Sequence, residues 1–152
     1  MPRKKKTVFS FKSAPGDYIG QGHSASYDHN NSAFSVRTQS KYAVHFLVET
    51  LSDYWTIWFE APKGKRLRTG AYKNIMWCNF HVNHAEDGPG LVVAHRNRKS
   101  DHSFGAFTIH RIKFNKSGEL TLFDVEFSHH SNRPNAPPLL GKIYYDRKQK
   151  AA

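Results

Sequence analysis

The chain has 152 residues, enough for one domain with a proper core, and carries 23 Lys and Arg against 12 Asp and Glu, a formal net charge of +11. One cysteine, Cys78, excludes an intrachain disulfide, and no apolar run of about 18 residues is present, which excludes a membrane-spanning helix. Aromatic residues make up 14% of the chain, and rings on this scale favour sheets with large buried side chains.

The first stretch, "MPRKKKTVFSF", is basic but lacks the apolar centre and cleavage site of a secretory signal. With the lone cysteine, which reads as a buried inert thiol in "IMWCNF", this sets the expectation of an intracellular protein without membrane association. Arg3, Lys4, Lys5 and Lys6 make residues 1–6 a basic arm, and Arg147, Lys148 and Lys150 make residues 147–152 a basic tail. The body between them, residues 7–146, is only mildly basic. Two strongly basic ends on a mild body suit a polyanionic partner better than a deep catalytic cleft.

Alternating or continuous apolar segments follow in order at 7–11, 33–38, 41–50, 54–61, 74–82, 91–95, 104–114, 119–127 and 139–145. Turn formers separate them: "PGD", "NNS", "PKGK", "HAEDGPG", "NKSG" and "NRPNAPP". In "KYAVHFLV", Tyr42, Val44, Phe46 and Val48 share one face, the period of a half-buried strand. No stretch holds a helical period. About nine strands without helices predict an all-β, single-domain antiparallel β-sandwich, jelly-roll-like in type.

"KFNKSGEL" predicts a hairpin in which Gly118 takes positive φ. Its strands change parity midway, from Phe107 and Ile109 to Ile112 and Phe114, and from Leu120 and Leu122 to Phe123, Val125 and Phe127. A bulge, or a strand crossing between sheets, accounts for both slips. Phe107, Ile109, Leu122, Val125 and Phe127 are expected in one two-layer core. In "PGDYIGQG", a sharp turn, Tyr18 and Ile19 are expected to point inward.

Together "PGDYIGQG" (15–22), "EAPKGKRLRTGAY" (60–72), "PGLVV" (89–93), "FGAFTI" (104–109), "GELTLFDVEFSHH" (118–130) and "PPLLGKIYYD" (137–146) resemble, in order, an uncharacterised small bacterial β-sandwich domain family. The resemblance runs from Phe9 to Asp146. It implies a compact sandwich and no activity. Relatives carry Arg–Gly–Cys–Asn and Gln–His–Cys–Glu stretches. On that pattern Arg98 matches the arginine and His130 the histidine, Ser100 and Ser131 fall where the two cysteines stand, and Asn132 falls where the glutamate stands. Trp77 replaces a frequent arginine.

The catalytic patterns fail on context. His129 and His130 precede prolines and a strand, whereas a His–Asn–His nuclease needs a helix there. Adjacent strand residues face opposite ways, so this pair does not chelate a metal. His81, His84, Glu86, Asp87, Asp101 and His102 lack the spacing of a known metal motif. Asp124 and Glu126 read as the solvent face of an edge hairpin. No nucleophile elbow, phosphate-cradling glycine loop or dinucleotide fingerprint occurs. No catalytic residue, cofactor or metal is therefore assigned.

Binding is better supported. "KGKRLR" and "HRNRKSDH" bring Lys63, Lys65, Arg66, Arg68, Arg96, Arg98 and Lys99 into two loops, which form one basic patch with the tails if they share an end of the sandwich. Trp55 and Trp58 in "YWTIWF" are candidates for a ring platform or for core filling. The expected function is a non-enzymatic module binding nucleic acid or another polyanion. The alternatives are a coat or self-assembly subunit, hence a homo-oligomer, and a carbohydrate-binding module.

Overall fold

A computed structural model describes residues 6–78 and 88–149. Expectations that rest on Arg3, Lys4, Lys5, Lys150, the Cys78 thiol and residues 81–87 fall outside the described residues. The strands are β1 (Val8–Ser13), β2 (Ser24–Asp28), β3 (Ala33–Gln39), β4 (Ala43–Glu49), β5 (Tyr54–Glu60), β6 (Gly70–Cys78), β7 (Gly90–His95), β8 (His102–Phe114), β9 (Leu120–Ser131) and β10 (Leu139–Asp146). Two antiparallel sheets form: one of six strands, in the order β2-β1-β10-β9-β8-β6, and one of four, β3-β4-β5-β7. The all-β sandwich is as expected, with one strand more. That strand, β2, is "SASYD", whose alternation rests on Ala25 and Tyr27 alone between serines. It adds to β1 at the sheet edge, where so few apolar side chains suffice.

Between the sheets lies a ring-rich core. Phe46 stacks on Phe123 at 5.7 Å, and Phe59 meets Phe107 edge-on at 5.2 Å. Phe107, Ile109, Val125 and Phe127 belong to this core, as expected. Leu122 is buried too, but outside that cluster. The parity change explains it: the β8–β9 register slips between Ile109 and Arg111, so Leu122 and Phe123 are both covered, on opposite faces. Gly118 closes the hairpin with φ 81°. The hairpin is central rather than an edge, because β10 pairs along the far side of β9.

Two inward expectations need correction, and one alternative is decided. Tyr18 is 47% exposed, while Ile19 beside it is fully buried. The reason is Asp17, whose buried carboxylate accepts hydrogen bonds from Ser13 Oγ (2.7 Å), Gly20 N (2.9 Å) and Ile19 N (3.2 Å) and takes the inward position in that turn. Tyr42 is 37% exposed because it belongs to the β3–β4 turn, not to β4. Trp55 is buried and Trp58 half-buried on the other face of β5, so the two rings share no platform. Trp55 stacks on His95 at 4.3 Å and donates its indole N–H to Tyr27 OH at 3.2 Å, a core role.

Candidate functional site

The two basic loops leave opposite ends of the molecule. β5 and β7 are antiparallel neighbours, with Trp55 opposite His95 and Glu60 opposite Gly90. The chain following β5 (61–69) and the chain following β7 (96–101) therefore cannot meet. The expected single patch is two separate sites, and they differ in character.

At the end occupied by the 96–101 loop, both arginines are engaged. Arg96 Nε donates to Asp53 Oδ1 at 2.7 Å and its Nη2 to the Ser52 carbonyl at 2.7 Å. Asp53 also holds His95 Nε2 at 2.6 Å, and Arg98 reaches His95 Nδ1 at 2.7 Å and the Ile19 carbonyl at 3.3 Å. Burial pushes the Asp53 carboxyl up, but the Arg96 and His95 hydrogen bonds outweigh it and hold the group below its ordinary range. Both imidazole nitrogens of His95 are held by these neighbours. This is a latch between turns. Lys99 is exposed nearby.

The same end carries His129, fully buried, with Nε2 at 3.0 Å from Ser103 Oγ. Desolvation pushes its pKa down to about 4, against a smaller opposing pull from Asp17. His130 turns to the outer face, where its Nδ1 donates to the Ala136 carbonyl at 2.6 Å. The two histidines are strand-end packing and capping groups. Among the described residues no group of three or more His, Cys, Asp or Glu side chains converges.

The opposite end is open. The β1 and β10 termini lie there, because Val8 pairs with Tyr144, and so does the start of β6, because Gly70 pairs with Ile109 one row inward. Lys6 is exposed, Arg147 begins a 3-10 turn (Arg147–Gln149), and Gln149 Oε1 accepts the Thr7 N–H at 2.8 Å. Arg147 pairs with Glu119 at 3.2 Å, while Lys148 is exposed. Lys63, Lys65, Arg66 and Arg68 flank Leu67, which is 2% exposed and donates its N–H to the Lys41 carbonyl at 2.9 Å. One buried leucine thus pins a loop whose four cations all face water.

That loop, the β3–β4 turn and β6 enclose a groove of about 1100 Å³. Lys65, Arg66, Arg68 and Lys73 line it with Tyr42 and Tyr72, and among the described residues no carboxylate does. Lys73 reaches the groove through a bulge. Lys73 and Asn74 together oppose Ala106, and Asn74 takes φ 57°. Ser40 and Lys41 on the facing turn also have left-handed φ, 45° and 63°. Non-glycine residues pay conformational energy there, and such positions cluster where a site is shaped. Lys73 and Tyr42 escaped sequence reasoning as groove residues. The signal available was "YKN", a polar pair breaking the β6 alternation.

Among the described residues, no helix is long and apolar enough to cross a membrane. Comparison with protein-family models, curated proteins and solved structures returned no match.

Proposed function

We propose that this protein is a non-enzymatic module that binds a polyanion, nucleic acid, through the open basic end of its sandwich. What supports this is one observation: Lys65, Arg66, Arg68 and Lys73 surround a groove lined by no carboxylate among the described residues, at the end that also carries Lys6 and Lys148. Ordinary solvated loop cations have acidic neighbours, as Arg96 has in Asp53. Four cations around one concavity, with no carboxylate among its described lining residues, repel one another, and a chain of phosphates relieves that repulsion. The single cysteine fits an intracellular setting for such a partner.

Salt dependence tests the reading. Affinity for labelled DNA should fall steeply with salt. Replacing Lys65, Arg66, Arg68 and Lys73 with serine should make the log–log slope shallower by up to about 3.6 units, at about 0.9 per phosphate contact. The Arg96→Ser and Arg98→Ser pair should leave the slope as it is. Equal slopes for the groove variant and the unmodified protein would overturn the proposal.

A further inference from the structure

We infer that the ligand of the groove is single-stranded nucleic acid, with Tyr42 stacking on a base while Lys65, Arg66, Arg68 and Lys73 meet the flanking phosphates. This rests on the polyanion reading and narrows it.

Among the described residues, five large apolar side chains are exposed, Tyr18, Tyr42, Leu51, Tyr54 and Leu140, and of these only Tyr42 lines the cationic groove. Its ring is held in place from both ends. The hydroxyl donates to Gln39 Oε1 at 2.9 Å, the backbone N–H donates to the Gln39 carbonyl at 2.9 Å, and the Tyr42 carbonyl accepts the Ala61 N–H at 2.8 Å. The turn that presents it contains the left-handed Ser40 and Lys41 without a glycine to relieve them. A ring fixed before binding loses little freedom when a flat partner stacks on it. Tyr72, the other ring of the groove, has one face against Phe107 at 4.7 Å, and its hydroxyl accepts the Arg68 N–H at 2.9 Å. It shapes the wall.

The occupant that uses both features has phosphates and unstacked bases. A duplex offers the phosphates but buries its base faces, so it would engage the cations and leave the tyrosine idle. Inorganic polyphosphate would do the same. A single strand can place a base on Tyr42 and run its backbone past the four cations.

The test is anisotropy with the full chain and a labelled oligothymidylate, set against a DNA duplex and against inorganic polyphosphate as competitor. The unmodified protein should prefer the single strand. Tyr42→Ala should weaken the single strand by roughly tenfold or more and leave the other two ligands unchanged. Tyr42→Phe should retain binding, and Tyr42→Leu, which keeps bulk without a ring, should behave like the alanine variant if alanine impairs folding. Equal affinity for single strand and duplex, or Tyr42→Ala weakening all three alike, would overturn the inference while leaving the polyanion reading intact. Failure of all three ligands to bind the unmodified protein would remove that reading, and this inference with it.

Discussion

Ser100 and Ser131 lie 31 residues apart and meet hydroxyl to hydroxyl at 2.8 Å, with 1% and 7% of their surfaces exposed. The contact ties the β7–β8 connection to the end of β9. Two buried side chains in contact across the fold invite a covalent link in place of the hydrogen bond. Replacing both serines with cysteine should yield a disulfide under mild oxidation, raising unfolding stability by about 3 kcal/mol. Thiol titration and a denaturant melt, each with and without reductant, check this. A double variant that stays reduced and is not stabilised would show that the side chains approach in the wrong orientation.

Position within the core should rank substitutions. Phe107→Ala removes a fully buried ring packed on Phe59 and Tyr72 and should cost about 3–5 kcal/mol. Leu122→Ala removes a side chain outside the central cluster, beside a surface cleft shared with Arg111 and Tyr144, and should cost less. Urea melts of the two variants give the order, and a reversed order would contradict the face assignment.

His129 makes stability depend on pH with a defined sign. Its folded pKa of about 4 lies below the ordinary 6.5, so the unfolded chain takes up the proton first as pH falls. Its contribution is complete above pH 6.5, declines between pH 6.5 and 4, and is level below that. The loss across the window is on the order of 3 kcal/mol. His129→Gln should flatten that part of the profile. An unchanged slope would mean that the ring gains a partner or water in the acid form.

Arg98 should separate stability from binding. It bridges His95 and the Ile19 carbonyl at the closed end, so Arg98→Met should lower stability by about 1–2 kcal/mol. Polyanion affinity and its salt slope should not move. A parallel loss of affinity would mean that the two ends act together.

Most of the architecture was legible because it rests on alternation. Val44, Phe46 and Val48, or Phe123, Val125 and Phe127, announce their inner face by type alone. β2 escaped because serines occupy its outer face and only Ala25 and Tyr27 its inner one. The candidate site was half legible. Lys65, Arg66 and Arg68 are visible as a basic run, but which loops share an end depends on strand order, and strand order is set by long-range pairing. Arg96 and Arg98 look the same as Arg66 and Arg68 in sequence. Only the fold reveals that Asp53, more than forty residues away, neutralises the first. Tyr42 and Lys73 owe their positions to a turn and a bulge, and one residue of slip in either would send them elsewhere.

The pairing of β1 with β10 has a temporal consequence. Synthesis releases Phe9 and Phe11 from the ribosome early, yet Ile143 and Gly141, which face them across the ladder, come more than 120 residues later. Until β10 emerges, β1 has only the short β2 to pair with on one side, while its other edge waits. The six-stranded sheet is thus completed only when β10 inserts between β1 and β9 and brings the Thr7–Gln149 contact together. Closing so distant a pair is slow compared with forming a hairpin. A nascent chain stalled before residue 139 has every phenylalanine of the core but lacks Tyr145 and the strand that joins its two halves.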